Sequence, residues 1–189
     1  GTVFTIGENN RDIDVALSGI TITGGDTPRN GVILGGGIAN YGRLMVTDCI
    51  ISGNIGSGIF NFGKGAGGAE AAKATVTRCT ISGNTDYQGG GISNGGTLIV
   101  TDSTISGNRG INYGGGITNS GMATIVNSII SGNRATNYCG GGIDNEYGTW
   151  VVTDSMISDN YAGTYGGGIY NRAGGEVTIH DSTISGNTG

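Results

Sequence analysis

In 189 residues proline occurs once, at Pro28, histidine once, at His180, and tryptophan once, at Trp150, while charged residues make up only 12% of the chain. Nine lysines and arginines stand singly among fourteen acidic residues, leaving a formal net charge of −5. That balance provides no cluster of cations to release counterions from nucleic acid or to hold anionic lipid, so neither partner is expected. No apolar run approaches the ~20 residues a membrane-spanning helix needs, and no membrane insertion is expected. No export signal precedes Gly1, so the sequence reads as a soluble, already processed chain. Three cysteines and one histidine make no zinc motif, and no metal or other cofactor is expected.

What is abundant is glycine, at 42 residues. Without a collagen period this signals either disorder or a repeat fold, and 35% hydrophobic residues are enough to build a core, which favours the repeat. Aligned on Ile-Ser-Gly-Asn, the chain shows isoleucines at Ile51, Ile81, Ile105, Ile130, Ile157 and Ile184, preceded by a degenerate copy at Ile22, at steps of 24 to 30 residues. A second marker, a glycine run ahead of isoleucine, falls at Ile38, Ile59, Ile92, Ile117, Ile143 and Ile169. Periods of this length belong to solenoids, propellers or arrays. Within one unit, Leu98, Val100, Ser103 and Ile105 face one way and Ile99, Thr101, Thr104 and Ser106 the other, with the alternation broken at Asp102. That pattern reads as two short strands with a bend between them, and Ile92 to Asn94 supplies a third. Glycines inside every unit disfavour helix by up to ~1 kcal/mol each. The expectation is therefore an all-β, parallel β-helix of about seven coils, three short strands per coil, forming one domain over residues 1–189; parallel crossovers make it right-handed.

Stacking the units gives columns of constant character. One reads Leu17, Val46, Val76, Val100, Ile125, Val152 and Ile179, another follows the Ile-Ser-Gly-Asn isoleucines, and a third runs Val15, Leu44, Ala74, Leu98, Ala123, Trp150 and Val177, with the indole beside the smallest neighbour. At ~4.8 Å between coils, each buried aliphatic side chain contributes roughly 1.5 to 3 kcal/mol. Two asparagine columns, Asn40, Asn61, Asn94, Asn119, Asn145 and Asn171, and Asn54, Asn84, Asn108, Asn133, Asn160 and Asn187, read as ladders at corners, where the side chains bond one another and the backbone tolerates left-handed angles. The glycine runs read as close backbone contacts rather than a phosphate loop, since neither Gly-Lys-Ser nor Gly-Lys-Thr follows them.

"GGGIANYGRLMVTDCIISGN" and its later versions resemble the repeats of right-handed parallel β-helix proteins, in particular the polymorphic outer membrane protein type and related bacterial surface proteins. The resemblance spans nearly the whole chain. It implies a secreted or cell-surface protein, adhesin-like, structural and non-enzymatic, with a glycan or a receptor on a host or cell surface as partner. The sequence departs from that group in having no export signal, no outer-membrane anchor, and an insert from Lys64 to Ala74 read as a surface loop.

Three other functions compete. Enzymes of this architecture that cleave polysaccharides need basic groups or paired carboxylates; the best cluster here is Asp154, Asp181 and His180, in a column with Asp48, Arg78, Asp102 and Asn127. The column reads more simply as the Thr-Asp bend of each coil, Arg78 relieving repulsion, so no catalytic residue is assigned. Tyr87, Tyr113, Tyr138 and Tyr165 precede glycine runs and form a candidate aromatic stripe for sugar rings, or for stacking on one another. An ice-binding face needs a regular threonine array, and the outward columns are mixed. Cys49 and Cys79 share a column within disulfide reach but read as small core residues, and Cys139 is left over. Neither end carries a capping pattern, the first residues reading as an extra strand, so the chain is expected either to be part of a longer passenger or to associate with itself through open coil ends into fibres.

Overall fold

A computed structural model describes residues 1–7, 12–27, 35–63, 71–172 and 174–189. Among these no helix forms; every regular element is a strand of two to five residues, and every strand pairing is parallel. One coil runs from Ile92–Asn94 to Thr97–Thr101 to Thr104–Ser106, and each piece lies on its counterpart in the next coil, so the chain winds up three sheets of seven strands each. We call these the Asn sheet, the long-strand sheet and the Ile-Ser sheet. The isoleucine marker is the register itself: Ile22, Ile51, Ile81, Ile105, Ile130, Ile157 and Ile184 pair in sequence. Phe4–Ile6 adds a first strand to the Asn sheet beneath Ile38–Asn40.

Each long strand alternates one side chain inward and one outward, which sets Leu98 and Val100 in the core and Ile99 on the surface. The chain must then turn so that Ser103 and Ile105 also face inward. It does so with one residue in the left-handed region: Asp48, Arg78, Asp102, Asn127, Asp154 and Asp181 all have φ between 46° and 54°. Aspartate and asparagine tolerate this conformation better than other non-glycine residues. A single cluster of aliphatic side chains fills the axis from Ile6 to Ile157, and Trp150 sits in its row between Ala123 and Val177.

The three expected strands per coil are in place; a fourth short strand is added in part of the stack, and two expectations are corrected. Coils three to six carry strands of a fourth sheet, Thr85–Asp86, Arg109–Gly110, Arg134–Ala135 and Tyr161–Ala162, because the residues after Ile-Ser-Gly-Asn lie in register and complete a second pair of backbone bonds. The ladder asparagines are not in left-handed backbone; that role falls to the Asp row and to glycines such as Gly107, one residue before Asn108. A Cβ-free residue at that point lets the asparagine itself turn inward with ordinary angles. Residues 64–70 of the insert lie outside the described residues, whereas Lys73 and Ala74 are not loop but part of the strand Lys73–Thr77, with Ala74 in the core.

Candidate functional site

The two asparagine columns form continuous amide ladders inside the coil. Asn40 Nδ2 donates to Asn61 Oδ1 at 2.8 Å, and the same bond recurs from Asn61 to Asn94, Asn119, Asn145 and Asn171 at 2.7 to 3.0 Å. In the second ladder each side-chain oxygen accepts both the Nδ2 and the backbone N–H of the preceding asparagine, from Asn54 through Asn84, Asn108, Asn133 and Asn160 to Asn187. Away from the C-terminal coil, whose Asn171 is exposed and Asn187 half-buried, the ladder asparagines are fully buried, and their donors and acceptors are consumed by neighbouring coils. They hold the stack together and offer nothing to a ligand. A third ladder went unread in the sequence: the backbone N–H of Cys49 points at Cys79 Sγ, and those of Cys79, Ser103, Ser128 and Ser155 donate to the hydroxyls of Ser103, Ser128, Ser155 and Ser182. Cys49 and Cys79 are thus thiols doing a serine's work, and burial pushes the Cys79 thiol above its ordinary range.

On the surface, the bend row lies exposed between the long-strand and Ile-Ser sheets. Arg78 forks onto Asp48 at 2.8 and 3.0 Å, and this hydrogen bonding holds the Asp48 carboxyl below its usual range. Asn127 donates to Asp102 at 2.6 Å. Asp154 and Asp181 sit in successive coils along a shallow groove with Asn127, Met156 and Thr183, and His180 pairs with Thr153 on the outward face. All three are exposed, so the groove brings together carboxylates without the enclosure that tunes a catalytic pair.

The tyrosines are divided rather than aligned. Tyr113 and Tyr138 stack at 5.3 Å. Tyr165 is opposite Cys139, not Tyr138, and stacks on Tyr170 of its own coil at 6.1 Å. Tyr87 falls outside that row, its carbonyl accepting the N–H of Asn112. The glycine run after each tyrosine doubles back over the outer face of the Asn sheet so closely that a Cβ on Gly140 would stand 2.6 Å from the Asp144 side chain. Ser93, Thr118 and Asp144, which point away from the core, are buried by that cover.

Asp144 is 0% exposed and receives both arms of Arg172 from the next coil, at 2.8 and 3.2 Å. Burial pushes the Asp144 carboxyl up; the guanidinium, although itself partly buried, is held above its ordinary range by that carboxylate and by Glu146. The same guanidinium lies 4.2 Å from the centre of the Tyr113 ring, so one arginine ties three coils together. Asp86, half-buried on the fourth sheet opposite Gly110, is likewise raised by burial and accepts from Ser57 Oγ and the Tyr87 N–H. Neither acid was singled out in the sequence. The one available signal was an acid at the middle of Ile-Asp-Asn, where the other coils carry Ala39, Phe60, Ser93, Thr118 and Tyr170, none of them charged.

Residues 6–189 match the family described as right handed beta helix region. The chain belongs to that family. No curated protein matches it, and no solved structure does. Membership accounts for the hand of the coil and for the uniform ladders of its interior, which every coil of such a stack must repeat.

Proposed function

We propose that this β-helix is a non-enzymatic structural element, secreted or displayed at a cell surface, that serves adhesion or assembly as a rigid rod and associates through its terminal coils. The observation that carries the reading is the uninterrupted interior: one aliphatic cluster runs from Ile6 to Ile157 and amide ladders bond each coil to the next, which stiffens the stack. A second stack in the same register would continue these aliphatic rows from coil to coil. Sedimentation velocity over a hundredfold range of concentration, with electron micrographs of the same samples, tests assembly. End-to-end filaments that are lost in Ile184→Asp support it; a monomer at every concentration removes it.

A second reading, glycan binding, is favoured by the exposed outer rings of Tyr138 and Tyr165 beside the Arg172 cluster. It predicts that Tyr138→Ala abolishes recognition on a glycan array, and silence of the native protein on that array counts against it.

A further inference from the structure

We propose that Arg109 and Arg134, side by side on the fourth sheet with the Tyr161 ring next in the row, form a binding site for the oxyanion of an acidic glycan. Parallel pairing places Arg109 opposite Arg134 and Arg134 opposite Tyr161, so the two side chains leave the sheet about 4.8 Å apart. Like charges directly opposite each other in a sheet are destabilising. Elsewhere the molecule answers each such charge: Arg43 lies on Asp14 and Asp12, Arg78 on Asp48, and Arg172 on Asp144 and Glu146. Arg109 and Arg134 have no ion-pair partner among the described residues, although the chain has an excess of acid and the exposed Asp159 precedes Tyr161 by two positions.

Both side chains are nevertheless held. Arg109 Nε donates to Thr136 Oγ1 at 3.0 Å, and the Arg134 guanidinium lies 4.1 Å from the centre of the Tyr161 ring. Two oriented guanidinium forks with free N–H groups match the paired oxygens of a carboxylate or sulfate, and their fixed positions lower the entropy lost on binding. An anionic lipid surface calls for clusters of about four to eight cations, and nucleic acid gains affinity from each further phosphate contact. A pair of arginines beside a tyrosine ring suits an acidic sugar better, with the ring available to its apolar face. The site is separate from the terminal coils and stands or falls independently of assembly.

The test is calorimetric titration at low salt with a galacturonic acid hexamer and a sulfated heparin-type hexasaccharide, with maltohexaose as the neutral control and phosphatidylserine vesicles as the lipid arm. The native protein is expected to bind at least one acidic oligosaccharide and not the neutral one. Affinity should fall with added salt, drop at least tenfold in the Arg109→Gln/Arg134→Gln double variant, and stay unchanged in Arg43→Gln. Without ligand, Arg134→Gln should melt no lower than the native protein, since a repulsion has been removed. The proposal is overturned if neither acidic oligosaccharide binds, if the double variant binds as tightly as the native protein, or if only vesicles bind.

Discussion

Replacing Asn108 by alanine removes the centre of the second amide ladder. Its Oδ1 accepts the backbone N–H and the Nδ2 of Asn84, both at 3.0 Å, and its Nδ2 donates to Ile81 O at 2.9 Å and to Asn133 Oδ1 at 3.0 Å. Asn133 Oδ1 keeps a partner, because the Asn108 backbone N–H still donates to it. Three groups lose theirs: two donors on Asn84 and one lone pair of the Ile81 carbonyl. Asn84 and Ile81 are fully buried, and each stranded group costs about 1 to 3 kcal/mol, so the variant should lose at least about 3 kcal/mol. Asn137→Ala is the control, because its bond to Asn112 is exposed; it should cost less than about 0.5 kcal/mol. Urea unfolding followed by circular dichroism measures both, and amide exchange at Asn84 reports the lost acceptor directly. The reasoning is refuted if Asn108→Ala lies within about 1 kcal/mol of the control and the Asn84 amide keeps its protection.

Other consequences are equally specific. Trp150 is buried and its indole N–H has no hydrogen-bond partner among the described residues, so Trp150→Ala should cost about 3 to 5 kcal/mol, whereas Trp150→Phe, which removes that donor, should cost less than about 1.5 kcal/mol; thermal melts separate the two. Gly116→Ala should prevent normal stacking, since its Cβ would stand 2.6 Å from Gly142 O, and an unchanged melting temperature would contradict the coil spacing. Burial raises the Asp86 carboxyl in the folded chain, so the stability linked to it is full below the ordinary carboxylate range, near pH 3.9, and is lost as pH rises through the folded value. Asp86→Asn should accordingly gain on the native protein between pH 4 and pH 7; an unchanged gap argues against a buried acid there. Cys79 and Cys139 are buried with thiols pushed up, and both should resist iodoacetamide until urea unfolds the chain, as mass spectrometry of the alkylated peptides would show.

The repeat was legible because a parallel stack imposes identical demands on each coil. Ile105 and Ile130 occupy the same row and must fill the same space, so the sequence repeats where the fold does. The fourth sheet was hidden because its strands are two residues long and chemically mixed: Arg-Gly, Arg-Ala and Tyr-Ala carry no period that propensity could detect. The tyrosine row failed for a related reason. Tyr113 and Tyr165 stand immediately before their glycine runs while Tyr87 and Tyr138 stand one residue further back, so register with the glycines sets Cys139, not Tyr138, opposite Tyr165. Arg172 and Asp144 lie 28 residues apart and join across coils, a contact that single-sequence reading could reach only after the register was known. Arg109 and Arg134 became a pair by the same route, since nothing in either residue alone distinguishes it from a solvated surface charge.

Spin-label distances along one outward column test the stacked rod most directly. In a cysteine-free background, with labels placed at Ile50 and Thr183 and, separately, at Thr80 and Thr183, the pairs lie five and four coil steps apart, about 24 and 19 Å at ~4.8 Å per coil. Two narrow distributions differing by one coil step would bear out a rigid solenoid in this register. Broad distributions, or equal distances for the two pairs, would contradict it.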